Sequence, residues 1–154
     1  MTSPESLAPD EDLERATASV QWSTPAFSRG MVAMTALWGA NFAHGAASHS
    51  ALVEATVDLN GTSVPFARVE WVQKLGHDLV LTDGSETRFD VFMASLGYVH
   101  RLPALGPIVP ALGLRVNAGA VPASVEPAYG TRLPVGAYVY LLLQPKKMEH
   151  AHQE

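Results

Sequence analysis

The chain has 154 residues, 47% of them hydrophobic and only 16% charged, with a formal net charge of −5. That length suits one domain, or part of one, and the acidic balance excludes the basic footprint of a nucleic-acid-binding protein. With no cysteine, disulfides, thiolate metal sites and cysteine nucleophiles are excluded as well.

The N-terminal lead, residues 1–12 (MTSPESLAPDED), is polar. It has neither a basic n-region nor an apolar h-region, so it does not read as a signal peptide. No run of 18 apolar residues exists, which leaves no transmembrane helix. From residue 13 onward the pattern has period two. A first strand over 13–23 puts Arg15, Thr17, Ser19 and Gln21 on one face and Ala16, Ala18, Val20 and Trp22 on the other. A second, over 29–39, alternates less cleanly. The third, over 50–59, sets Glu54, Thr56 and Asp58 opposite Ala51, Val53, Ala55 and Val57. The fourth, over 63–73, separates Phe66, Arg68 and Glu70 from Ala67, Val69 and Trp71. A fifth lies over 88–101. The sixth, over 108–119, separates Gly113, Arg115, Asn117 and Gly119 from Leu112, Leu114, Val116 and Ala118. In the seventh, over 135–144, Tyr138, Tyr140 and Leu142 are as apolar as Val139, Leu141 and Leu143, so hydropathy does not orient it. A tail over 145–154, rich in His and Met, reads as disordered. Proline or glycine interrupts most windows long enough for a helix. The expected fold is all-β: an antiparallel up-and-down meander of about seven strands spanning residues 13–144.

The connections alternate in expected length. "TPAFS", "NGT" and "LPALGP" are short; "ANFAHGAASHS", "KLGHDLVLTDGSET" and "AVPASVEPAYGTRLP" are long. A transmembrane barrel with tight turns at one end and longer loops at the other sorts its connections this way.

The hairpin around Asn60–Gly61 specifies its own register. A two-residue turn would pair Leu59 with Thr62 and put Arg68 on the face of Val53, breaking both alternations, because a one-residue slip flips every side chain. An odd-length loop pairs Leu59 with Ser63. Glu54 then faces Arg68, Thr56 faces Phe66 and Ala55 faces Ala67, and the opposite charges contribute a few tenths to about 1 kcal/mol.

Trp22, Trp38, Trp71 and Tyr98 are expected near strand ends, with Ala, Val and Leu between them. Aromatic residues gather this way at bilayer interfaces, though they also cap strands in soluble sheets.

Four segments, "SPESLAPDEDLERATASVQW", "VPFARVEWVQK", "ASLGYVHRLP" and "LGLRVNAGAVPASVEPAYG", together resemble the C-terminal part of a family of bacterial outer-membrane β-barrel proteins, porin-like and largely uncharacterised. The resemblance covers essentially the whole chain, and none of its motifs is catalytic. It implies a C-terminal barrel segment in the bacterial outer membrane, structural or a passive pore. Family members look longer, with a signal sequence and further strands ahead of the "SPE" segment, so this chain reads as a fragment. Seven is odd where single-chain bacterial barrels have even strand numbers. Outer-membrane lipid, and missing N-terminal strands or another copy to close the barrel, are the expected partners; no cofactor and no nucleic acid are.

Two sets of residues carry candidate chemistry. His44 and His49 in one long loop, with Met148, His150 and His152 in the tail, could offer imidazole and thioether ligands to copper or nickel. Against this stands a plain solvated loop and tail. Arg15, Glu54, Asp58, Arg68, Glu70 and Arg115 could face a lumen, where charge sets ion selectivity, or form ion pairs that plug a narrow one. Ser95 in "ASLGY" lacks the GxSxG context of a nucleophile. Glu54 and Glu70 each have an arginine in reach, so no enzyme is expected. The alternative is a soluble lipocalin-like or β-sandwich binding module, whose apolar faces would be interior. Its signature would be Val53, Val69, Trp71 and Leu114 buried against one another.

Overall fold

The computed structural model describes residues 14–27, 30–43, 46–76 and 87–146. The polar lead over 1–12, His44, His77, and Met148, His150 and His152 of the tail lie outside the described residues.

Seven strands are present: β1 Glu14–Ala26, β2 Gly30–Ala43, β3 Ala46–Asp58, β4 Ser63–Leu75, β5 Arg88–Arg101, β6 Ile108–Ala120 and β7 Val135–Pro145. They form one sheet in the order β1 to β7, and every neighbouring pair is antiparallel. The chain is thus an all-β meander. The sheet is open, with β1 and β7 as its edges. Because direction reverses at each of six steps, β1 and β7 run the same way.

The Asn60–Gly61 hairpin takes the odd register. Glu54 pairs with Arg68, Ala55 with Ala67 and Thr56 with Phe66, and the Leu59 N–H donates to the Ser63 carbonyl at 3.0 Å. Side chains shape the turn. Asp58 Oδ1 accepts from the Gly61 N–H at 2.6 Å, and Asn60 Oδ1 accepts from the Thr62 and Ser63 N–H groups at 3.0 and 2.9 Å. Gly61 sits at φ +80°, the left-handed position a three-residue hairpin loop needs.

One expected connection is overturned. "ANFAHGAASHS" is not a long loop, because the β2–β3 ladder continues through Asn41↔Ser48 to Ala43↔Ala46 and leaves only positions 44 and 45 between the strands. Ala, Gly, Ser and His have weak strand propensity, but each pairs here with a partner already held by the adjacent ladder. The strict alternation of short and long connections therefore fails. Long links join β4 to β5 (76–87) and β6 to β7 (121–134) alone.

The β6–β7 link holds a 3-10 turn, Ala123–Val125, and a single helical turn, α1 Glu126–Tyr129, which the sequence pattern does not predict. Its neck is closed by Gly119 N–H to Pro134 carbonyl (2.7 Å) and Val121 N–H to Arg132 carbonyl (3.0 Å), and Val121 and Val125 are buried beneath it. At the opposite end of this hairpin Pro145, the last residue of β7, pairs with Ile108, and the Lys146 N–H donates to the Pro107 carbonyl at 2.8 Å.

Among the described residues no second layer covers either face: each strand packs chiefly against its sequence neighbours. Stable soluble sheets bury one face against another element. Here the buried apolar residues among those described are small or few: Ala40, Val64, Ala111, Val121 and Val125.

Candidate functional site

The register sorts every strand residue onto one of two faces. One ladder row runs Gln21–Thr35–Glu54–Arg68–Ser95–Asn117–Gly136, polar from β1 to β6 and closed by glycine on β7. Arg15, Glu54, Asp58, Arg68, Glu70 and Arg115 all fall on this face. So do Lys74, one residue beyond the expected fourth strand, and Arg101, at the end of the fifth. The register also orients β7: Tyr138 pairs with Arg115 and Tyr140 with Gly113, placing both tyrosines on the polar face.

The charges on this face are organised. Arg68 lies between two carboxylates: Nη1 is 3.8 Å from Glu54 Oε2, and Nη2 donates to Glu70 Oε1. At the short-turn end, Arg101 Nη1 donates to Asp58 Oδ2 at 2.6 Å and to the Gly61 carbonyl at 3.0 Å, tying the β3–β4 turn to β5. Arg115 differs: among the described residues its acceptors are neutral. Its Nε donates to Asn117 Oδ1 at 2.7 Å and its Nη2 to Ser95 Oγ at 2.8 Å. Ser95 is the buried polar side chain of this face, 6% exposed, and its hydroxyl acts as an anchor for the guanidinium.

Aromatic rings pave the same surface. Phe66 lies over Gly97 and Tyr140 over Gly113, each glycine being the ring's directly paired neighbour. A Cβ at either glycine would run into the ring. Phe66, Glu70, Met93, Arg115, Tyr138 and Tyr140 border a trough of about 510 Å³ on this face.

The opposite face is apolar, and on β4 and β5 polar residues bound it at both ends. Its charged members among the described strand residues, Glu14, Arg88 and Asp90, all stand at the β4–β5 link end. At that end Trp71 Nε1 donates to Asp90 Oδ1 (2.9 Å), Gln73 Nε2 donates to the same oxygen (3.4 Å), and the His49 N–H donates to Gln73 Oε1 (3.1 Å). The His49 ring stacks on Trp38 at 5.8 Å. At the other end Tyr98 donates from its hydroxyl to Ser63 Oγ at 2.9 Å and stacks on His100 at 6.4 Å. Between the rims Val20, Val53, Val69, Leu96, Leu114, Val139 and Leu141 are exposed. Among the described residues Val53, Val69 and Leu114 are 49%, 56% and 48% exposed and Trp71 is half-buried, so the four are not buried against one another.

His49 is thus a strand residue on the apolar face and not a loop residue, which corrects its expected place in a His44/His49 loop pair. His44, Met148, His150 and His152 lie outside the described residues. Among the described residues no group of three or more His, Cys, Asp or Glu side chains is placed to hold a metal ion.

No family model, no curated protein and no solved structure matches this chain.

Proposed function

We propose that this chain is the C-terminal segment of a bacterial outer-membrane β-barrel, structural or a passive pore, whose apolar face meets acyl chains and whose polar face meets an aqueous lumen. The observation that carries the reading is the apolar face, uncovered by the described residues and bounded by polar rims at both ends of β4 and β5. From Ser63 to Gln73 on β4, and from Asp90 to His100 on β5, the rims stand ten residues apart. That is roughly 34 Å of strand, or about 26–29 Å of height at a tilt of ~30–40°, against a transmembrane barrel's apolar band of about 25 Å.

The drift of the band across the sheet supports the same reading. On β1 the apolar run is Ala16 to Trp22, centred on Ser19; on β7 it is Val135 to Leu143, centred on Val139. The row through Gln21 reaches β7 at Gly136, so Ser19 is level with Pro134, five positions short of Val139. Five positions over six strand spacings correspond to a tilt of roughly 30° between the strands and the normal of a flat slab. A lipid bilayer is such a slab, and barrel strands cross it tilted.

Closure follows from direction. Since β1 and β7 run the same way, joining them directly would create one parallel pair. Two copies about a common barrel axis would create two. An odd number of added strands restores antiparallel pairing throughout and gives the even total such barrels have.

The test is fluorescence of the chain refolded into phosphatidylcholine vesicles brominated along the acyl chains. The emission of Trp22, Trp38 and Trp71 is expected to be quenched by the brominated lipid and shielded from aqueous iodide. Quenching by iodide with no effect of bromine would overturn the membrane assignment.

A further inference from the structure

We infer that Arg115 is a binding site for a small organic monocarboxylate with an apolar, preferably aromatic, body. The inference deepens the reading above, since it takes the polar face to be open to water and solutes.

Among the described strand residues this face carries Arg15, Lys74, Arg68, Arg101 and Arg115 against Glu54, Asp58 and Glu70. Every one of those carboxylates is already engaged: Glu54 and Glu70 by Arg68, Asp58 by Arg101. Among the described residues Arg115 has no carboxylate partner. It is nonetheless not a loose surface cation, because Asn117 Oδ1 and Ser95 Oγ hold its Nε and Nη2.

A guanidinium has five N–H donors in a fixed plane. The two bonds formed take the Nε hydrogen and one hydrogen of Nη2. Among the described residues nothing accepts from Nη1 or from the second Nη2 hydrogen, so Nη1 and Nη2 can present an end-on fork to a ligand. Two parallel N–H groups at this spacing match the two oxygens of a carboxylate, and the fork is oriented in advance, so little rotamer freedom is lost on binding.

The surroundings select what the carboxylate carries. The trough beside Arg115 is walled by Phe66, Met93, Tyr138 and Tyr140, and its volume of about 510 Å³ suits a small organic molecule. The rings offer flat apolar surface, and the tyrosines add phenolic hydroxyls. A hydrated inorganic anion would use the fork but not the walls, and an organic cation would meet Arg115 as a like charge. Glu70 borders the trough, but its carboxylate is committed to Arg68.

The experiment is calorimetric titration of the detergent-solubilised full chain with benzoate, benzylammonium and chloride, with empty micelles subtracted. Benzoate is expected to bind saturably at one site per chain, with benzylammonium and chloride each at least about tenfold weaker. Arg115→Gln should weaken benzoate by roughly tenfold or more, the scale of a lost charge-assisted hydrogen bond, and Arg115→Lys by less. Absence of saturable benzoate binding, equal binding of benzylammonium, or unchanged affinity in Arg115→Gln would each overturn the inference. If circular dichroism shows that Arg115→Gln does not fold, the comparison of the two ring ligands on the unsubstituted chain decides. None of these readouts needs lipid. A chain that binds benzoate but fails the brominated-lipid test sinks the membrane assignment alone, and the converse sinks this site alone.

Discussion

Substituting Val69 by lysine isolates what the apolar face touches. Val69 is 56% exposed and lies six residues from Ser63 and four from Gln73 on β4, roughly 20 and 14 Å along the strand from the two rims. It is therefore close to the middle of the band. Against lipid, a lysine there costs about 2–4 kcal/mol, and the same residue near an interface costs about 0–1 kcal/mol. Thr24 on β1 supplies the interfacial control, since it shares this face but lies beyond Trp22 towards the short turns. If the face met water, both substitutions would fall within about 0.5 kcal/mol of neutral. If the face were a buried interior, an unpaired lysine would cost more than about 3 kcal/mol whether or not lipid is present. The assay is urea unfolding in phosphatidylcholine vesicles, followed by tryptophan emission, for the unsubstituted chain, Val69→Lys and Thr24→Lys. The expected result is a loss of about 2–4 kcal/mol for Val69→Lys and at most about 1 kcal/mol for Thr24→Lys. Equal costs at the two positions would refute the reasoning, because a bilayer penalises charge by depth.

Three other outcomes are expected. Gly97→Ala places a methyl group against the Phe66 ring and should cost about 1–3 kcal/mol, with part of the loss recovered when Phe66 is also replaced by leucine, as a double-mutant cycle of unfolding energies would register. Asn60→Ala removes the acceptor shared by the Thr62 and Ser63 N–H groups and should cost about 1–2 kcal/mol, with faster hydrogen exchange at those two amides. Arg68→Gln leaves Glu54 and Glu70 without the cation between them. Because Arg68 and Glu54 are 36% and 44% exposed, the cost should be only about 0.5–1 kcal/mol, and Glu54→Gln in the same chain should return part of it.

The strand count, the meander and the hairpin register were legible in the residues themselves. Alternation at Glu54/Val53 and Arg68/Val69 leaves one register in which both strands keep their faces, and Asn60–Gly61 supplies the loop that permits it. Local pattern suffices there because a two-residue period couples each side chain to its neighbours on the same strand. The polar face was legible for the same reason at Arg15, Glu54, Asp58, Arg68, Glu70 and Arg115.

What only the tertiary structure decided concerns residues whose own chemistry is silent about direction. Tyr138 and Val139 are both apolar, so pairing with Arg115 and Leu114 had to assign their faces. Ala40, Ser48 and His49 have weak strand propensity, and it took the β2–β3 ladder to extend both strands and place His49 against Trp38 on the apolar side. Arg101 belongs to the polar face only through its register with Ala111, and Ser95 becomes an anchor only because β6 brings Arg115 beside it. A strand's own alternation says which residues share a face, whereas the inter-strand hydrogen bonds say which strands' faces coincide, and that second relation lies between segments distant in the chain.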